Sequence, residues 1–324
     1  MSRALDAKTK EALEHGDHGK VFEDISKALS QSFDDLLEIE FLGRSHAANL
    51  DASLLQDGNA LAVPKIRIIQ AFLVANRLSK RGNWVSDEEA LKATAIMLLM
   101  DPEHLTAANI RKRVLSKIML LQQDTEKSLR REKYFVDSLL TSRLHRHTKS
   151  PTLWSHRRWL MSQFRHLGFR VDVVDDFKKV ILISAERHPR NYYAWCEARS
   201  LVNLDSVVWD QMLNESILLE VERWCLSHHD DISGWSFLLY MLGGSDQASP
   251  TVAKIIGLAE SFHWKNESVW YFLRNVTTKE KVSASVRSET KRICESLRQS
   301  TEENSIERRA LDQALDCFSR SDGF

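Results

Sequence analysis

The sequence predicts an all-α fold: a right-handed or crescent-shaped α–α superhelix, a solenoid built of helical hairpins. Three observations carry this. The 324 residues include only 11 Gly and 5 Pro, so breakers are scarce and good helix formers dominate. Apolar residues recur at three- and four-residue steps along most of the chain. A tryptophan-centred segment also returns with a period near 40 residues. Its aligned positions are 108, 154, 195, 235 and 270, with spacings of 46, 41, 40 and 35, and four of the five are Trp. A helix pair of that length cannot bury its apolar faces alone, so successive pairs must stack.

The elements follow in order. Residues 1–18 are polar and read as a frayed tail. From Lys20 onward Val21, Phe22, Ile25, Leu29, Phe33, Leu36, Leu37 and Phe41 keep helical spacing, which predicts a long first helix. Gly43 to Pro64 is less periodic and contains the turn signal Asp57-Gly58-Asn59. A second helix spans Lys65 to Lys80 and stops at Arg81-Gly82. Ser86, with Glu89 three residues on, forms a capping box that opens a third. These N-terminal helices occupy residues 19–94.

The repeats occupy residues 95–298. Their key segments are 101–112, 149–160, 188–199, 230–239 and 265–274. Between them lie amphipathic stretches at 126–146, 171–186, 211–226, 250–262 and 283–297. Trp154, Trp195, Trp235 and Trp270 are read as packing wedges, because one large ring can bridge both helices of a pair and the next. Residues 299–324 end in an amphipathic piece, Ile306 to Phe318, read as a capping helix.

Composition narrows the function classes. Lys+Arg and Asp+Glu both number 45, so the net charge is zero and a nucleic-acid-coating role is disfavoured. Cys196, Cys225, Cys294 and Cys317 fit no metal-ligand spacing and read as free thiols in a reducing compartment. The histidines form no i,i+4 pair with a third ligand, so no metal site is expected. The longest apolar run, Ala95 to Met100, is far too short to span a bilayer. No signal peptide or prenylation box is visible, and a cytoplasmic location is expected. Phosphate-binding loops, dinucleotide fingerprints and nucleophile elbows are absent.

Two segments carry a family likeness. His188-Pro189-Arg190-Asn191-Tyr192-Tyr193-Ala194-Trp195 and Ser150-Pro151-Thr152-Leu153-Trp154-Ser155-His156-Arg157-Arg158-Trp159 resemble the repeat of the protein prenyltransferase α subunits. The likeness extends over roughly residues 95–275. It departs from the family at Ala108, at Glu197-Ala198-Arg199 where His-Arg-Arg is usual, and in the arginine-free fourth copy. Such divergence is closest to the protein prenyltransferase α-subunit repeat-containing proteins.

The resemblance implies a crescent of hairpins wrapped around a prenyltransferase β subunit, of the Rab geranylgeranyltransferase type. That partner would hold the zinc ion and the isoprenoid diphosphate, so no cofactor is bound by this chain itself. The implied reaction is geranylgeranyl transfer to a C-terminal cysteine of a protein substrate, by the heterodimer only. The rival reading is a non-catalytic adaptor that binds another protein on its concave face.

The resemblance also assigns roles. Lys149 stands where a lysine reaches the diphosphate, and Tyr192 stands where a tyrosine lines the site. Pro151 replaces the tyrosine of the preceding repeat. A leaving diphosphate gains negative charge, which an ammonium and a phenol stabilise. Against this, Lys149 could be a solvated lysine, and Tyr192 a packing residue. Trp154, Arg157 and Arg158 share a helix face. Arg157, Arg158, Arg199 and Arg111 form either a partner-binding rail or a set of inter-repeat salt bridges.

Overall fold

In the computed structural model, residues 13–43, 52–122, 124–203 and 211–321 are described, side chains being described from 214 in the last stretch and to 320. The fold is all-α and built of helical hairpins. Two compact units divide the chain, Met1–Glu197 and Ala198–Phe324. The division falls inside the expected 95–298 block, at the third key segment.

In the first unit, α1 (His18–Leu29) is capped by Asp17, whose carboxylate accepts from Lys20 N at 2.9 Å. It stops there, short of the long first helix expected from spacing. The chain instead forms β1 (Glu38–Leu42), β2 (Leu55–Asp57) and β3 (Ala60–Pro64), a small sheet in the order β1-β3-β2. Strand β1 runs parallel to β3, and β2 antiparallel to it. The reason is alternation: in Glu38-Ile39-Glu40-Phe41 every second residue is acidic, which suits a half-buried strand. Ile39, Leu61 and Val63 are buried beneath the sheet. The turn at Gly58-Asn59 is the expected one, with Gly58 at φ 55° joining β2 to β3. Tyr134 and Ser138 hold the approach to β1: Tyr134 Oη accepts from Phe33 N at 3.2 Å and donates to Asp35 O at 2.9 Å, and Ser138 Oγ accepts from Leu37 N at 3.1 Å.

Helix α2 (Lys65–Lys80) matches its expected bounds, and Gly82 takes φ 77° just past its end. Helix α3 (Asp87–Met100) opens at Ser86, whose Oγ accepts from Glu89 N at 3.1 Å, while Glu89 reaches back to Val85 N at 2.9 Å. Residues Ala93 to Leu99 are all buried, because α3 packs against α1, α2 and α4 (Leu105–Leu120) together. Next come α5 (Thr125–Leu140), the short α6 (His145–Thr148) and α7 (Pro151–His166), with α4, α5 and α7 in mutual contact. Helix α8 runs through Val173–Asp176, a π-helical stretch Phe177–Leu182 and Ile183–Arg187. Helix α9 (Tyr192–Asn203) contains the unit boundary.

The second unit holds three hairpins: α10 (Gln211–Ser227) with α11 (Ile232–Leu242), α12 (Ala248–Ser261) with α13 (Glu267–Val276), and α14 (Ala284–Gln299) with α15 (Ile306–Ser321). Helix α13 packs against both α11 and α15. The C-terminal piece expected as a cap is thus the second helix of a further hairpin, one whose key position lacks a tryptophan.

Candidate functional site

The key positions share one backbone role. Ala108, Trp154, Trp195, Trp235 and Trp270 each donate their N–H to the carbonyl four residues back, at His104, Ser150, Asn191, Asp231 and Asn266, over 3.0 to 3.3 Å. Those five residues are therefore the N-caps, and the tryptophan closes the first helical turn. All four tryptophans are fully buried.

A second regularity links one repeat to the next. Where the N-cap side chain of the following repeat is Ser or Asn, it donates to the carbonyl two residues before the preceding N-cap; Asp231, a carboxylate, only accepts, from Ser233 N and Gly234 N. Ser150 Oγ donates to Pro102 O at 3.0 Å, Asn191 Nδ2 to Thr148 O at 2.8 Å, and Asn266 Nδ2 to His229 O. The indole of the same repeat can use that carbonyl too. Trp154 Nε1 donates to Thr148 O at 2.8 Å, and Trp270 Nε1 to Trp264 O at 2.8 Å. Thr148 O accepts from both sides, which fills both of its lone pairs. His147 adds a further link, with Nε2 at 3.1 Å and 3.0 Å from the carbonyls of Leu98 and Leu99. Carbonyls only accept, so Nε2 carries the proton. Burial pushes the His147 pKa down to about 4.

The arginines fall into two sets. Arg157 is 0% exposed and joins four helices. Its Nε donates to Asp137 at 2.8 Å, Nη1 to Glu197 at 2.9 Å and Nη2 to Asp176 at 2.5 Å. Lys133 bridges Asp137 and Asp176, at 2.6 Å each, and Arg158 Nε reaches Glu197 at 3.3 Å. Three cations meet three carboxylates, so the cluster is neutral overall. Burial opposes the Arg157 charge, but Asp137, Asp176 and Glu197 outweigh it and hold its pKa far above the ordinary value. Asp176 is likewise disfavoured by burial and held low by Arg157 and Lys133.

Arg111 is 4% exposed and lies at the same repeat position as Arg157. It binds Glu132 bidentately, at 2.7 Å and 2.6 Å, and Nη1 donates to Leu91 O at 2.7 Å and Thr94 Oγ1 at 3.0 Å. His156 Nε2 stands 2.9 Å from the same carboxylate. Burial would raise the Glu132 pKa, yet Arg111 and His156 bring it down to about 2. Burial holds His156 below its usual value.

Arg157 and Arg111 therefore present no surface to a partner. Their guanidinium groups are spent on carboxylates of neighbouring repeats, which is the salt-bridge alternative. Arg158 and Arg199 differ. The Arg158 side chain is 50% exposed, and Arg199 is partly exposed, donating to Ser236 Oγ at 3.0 Å and lying over the rings of Phe237 and Tyr240.

Lys149 and Tyr192 are both exposed, Tyr192 by 64%. Their preceding residues are linked, the Asn191 side-chain Nδ2 donating to Thr148 O at 2.8 Å, Lys149 standing at the end of α6 and Tyr192 at the start of α9. Pro151 is the first residue of α7 and is exposed. There its missing N–H costs no hydrogen bond. Among the described residues no three His, Cys, Asp or Glu side chains gather to hold a metal ion. None of the helices among them is long and apolar enough to cross a membrane.

Sequence reasoning missed Lys133, Asp137, Asp176, Glu132 and His156. One signal was available: Glu197 takes the repeat position of His156, so a carboxylate stands where the neighbouring repeat has a histidine. The partners 19 to 40 residues from Arg157 carry no local pattern.

Comparison with known proteins bears on this geometry. The model of the protein prenyltransferase alpha subunit repeat matches residues 136–164, from the end of α5 through most of α7. The model of the ECM9 middle domain matches residues 153–262. Protein prenyltransferase alpha subunit repeat-containing protein 1 of Danio rerio is 24% identical over 206 residues, which cover 58% of this chain and 46% of that protein. Its Homo sapiens counterpart is 26% identical over 183 residues, covering 50% and 42%. Protein 1-A of Xenopus laevis is 25% identical over 177 residues, covering 49% and 38%. The chain thus spans less than half the length of each of these relatives.

Proposed function

We propose that this chain, which carries the prenyltransferase alpha subunit repeat, is the α-like component of a heterodimeric protein prenyltransferase and transfers a geranylgeranyl group only together with a β subunit. The observation that supports this most is the pairing of Lys149 and Tyr192. The hydrogen bond from the Asn191 side chain to Thr148 O links the residues just before them, and both side chains are exposed. A diphosphate that leaves as the C–O bond breaks would gain charge beside an ammonium and a phenol. The zinc ion and the isoprenoid diphosphate belong to the β subunit, of Rab geranylgeranyltransferase type, where the metal would activate the thiol of a C-terminal cysteine in the protein substrate. Arg158 and Arg199, the two partly exposed arginines of the predicted rail, are the residues offered to acidic groups of that partner. In this reading the heterodimer works in the cytoplasm.

Co-expression with a Rab-type β subunit tests the reading. A stable one-to-one heterodimer should transfer the isoprenoid, and the purified chain alone should not. Lys149→Ala should lower turnover about tenfold or more while the heterodimer persists. An unchanged rate in that variant removes Lys149 from the chemistry.

A second reading is a non-catalytic adaptor, favoured by one observation. Pro151 sits, exposed, where the family has a site tyrosine, so one of two phenols is gone. Recovery of a binding partner with no zinc-bearing β subunit, together with no transfer in any pairing, would establish the adaptor.

A further inference from the structure

The two most exposed large apolar side chains among the described residues stand at one end of the first unit. Val85, in the link between α2 and α3, is 85% exposed, and Leu120, in the last turn of α4, is 84% exposed. The next is Ile306 at 70%, and Leu121, beside Leu120, is 54% exposed. Folding gains nothing from an aliphatic group left in water. Apolar side chains gathered in this way mark a surface that meets something else.

Two contacts place the α2–α3 link against the last turns of α4. Trp84 and Ile118 pack on one cluster, Ala90, Ile110 and Val114. Lys117 Nζ meets Asp87 Oδ2 at 2.9 Å, which ties the last turn of α4 to the first turn of α3. The Glu89 carboxylate also takes the Val85 N–H at 2.9 Å. Val85 is thus carried on anchored backbone, between a packed tryptophan and the Ser86 cap.

The charges around this end lean one way. Helix α2 contains no acid and finishes in Arg77, Lys80 and Arg81. Arg113 lies one turn before Lys117 on α4. These four cations are exposed and pair with no carboxylate among the described residues. Asp87 is spent on Lys117, and Glu88 on Lys92 at 3.4 Å. Glu89 and Asp124, just past α4, are the acids there without a cation, so four positive charges stand against two negative ones.

We propose that this end of the first unit docks on a membrane surface that carries anionic lipid. Val85 and Leu120 enter the boundary between headgroups and acyl chains, and Arg77, Lys80, Arg81 and Arg113 meet the headgroups. Aliphatic side chains that stand clear of the surface among cations need no fitted pocket. They suit a medium with an apolar interior and an anionic face. None of the helices among the described residues is long and apolar enough to span it, so the contact is peripheral and reversible.

The test is flotation of the full chain with vesicles of phosphatidylcholine and phosphatidylserine in equal parts, against vesicles of phosphatidylcholine alone. Binding to the mixed vesicles is expected to be stronger by about tenfold or more, and to fall as salt is added. Val85→Ser combined with Leu120→Gln should weaken it about tenfold, with the thermal midpoint unchanged because both positions are exposed. Lys80→Gln combined with Arg81→Gln should also weaken it more than tenfold, each cation being worth about fivefold beside an anionic surface. No binding to the mixed vesicles overturns the proposal. So does binding that the Val85 and Leu120 substitutions leave intact, which would be charge alone. Self-association that those two substitutions abolish, without vesicle binding, would assign this end to a second copy of the chain and overturn it too. The chain alone suffices for the experiment, with no β subunit and no role for Lys149, so this proposal and the prenyltransferase reading fail separately.

Discussion

At the scale of single residues, the buried charges set the sharpest expectations. Arg157 has three carboxylate partners and no solvent. Arg157→Ala should destabilise the fold by about 3–5 kcal/mol, because Asp137, Asp176 and Glu197 would then share only Lys133 and Arg158. Denaturant unfolding measures this, and a loss under about 1 kcal/mol would show that the carboxylates rehydrate freely. His147 governs a pH window. Its folded pKa of about 4 lies below the unfolded value of 6.5, so the unfolded chain binds the proton first. Stability from this group is therefore complete above pH 6.5 and declines by about 3 kcal/mol as pH falls towards 4. His147→Gln should flatten that slope while its amide keeps a donor for Leu99 O. Glu132 acts lower on the scale. With its pKa held near 2 by Arg111 and His156, its contribution is lost only as pH falls from about 4.5 towards 2. An identical pH slope in wild type and H147Q would place the titration elsewhere.

At the scale of elements, the two helix ends before α8 and α13 make a matched comparison. Helix α7 ends with Gly168 at φ 71°, and Phe169 N donates back to Phe164 O at 2.9 Å. Helix α12 ends in the same way, with Trp264 N on Ala259 O at 2.9 Å, but His263 occupies the left-handed position at φ 54°. His263→Gly should thus stabilise the second unit by about 1 kcal/mol, read as a rise in thermal midpoint, and Gly168→Ala should cost the first unit about as much. A fall in midpoint for H263G would mean that the imidazole contributes more than the backbone loses. Both ends illustrate what the sequence made legible. Helix bounds such as Lys65–Lys80, the Ser86 cap and the starts of the tryptophan helices follow from local chemistry, and local chemistry is written in adjacent residues. The strand β1 was legible in principle, but Leu36, Leu37 and Phe41 fitted a helical step as well as a pleat. The acidic alternation of Glu38 and Glu40 fits the pleat, and Tyr134 and Ser138, a hundred residues away, tie down the approach to it, a contact that no local pattern announces. The candidate site divides in the same manner. Lys149 and Tyr192 could be singled out by position, whereas the burial of Arg157 and Arg111 depended on acids contributed by other helices.

At the scale of the whole molecule, each unit has its own packed interior, and repeats mainly touch their neighbours in sequence. Damage should therefore spread only a short way. Trp270→Ala removes a fully buried ring from α13 and should cost about 3–5 kcal/mol locally. Hydrogen exchange read by mass spectrometry should show α11, α13 and α15 losing protection while α4 and α7 keep theirs. Uniform loss across both units would instead mean that the chain unfolds as one cooperative body. The Thr148 carbonyl has a consequence at this scale too. In the two repeats where the indole bonds that carbonyl, the distance from carbonyl to tryptophan is six residues, at 148–154 and at 264–270, and a side chain of the following repeat closes on Thr148. The period nonetheless drifts from 46 residues down to 35. All of that drift is absorbed outside the six-residue window, in the first helix of each pair and its flanking loops. The array is thus a ruler whose marks are fixed and whose blanks are elastic: residues can be gained or lost between marks without disturbing the marks, but one residue inserted between Thr148 and Trp154 would throw both hydrogen bonds to Thr148 out of register.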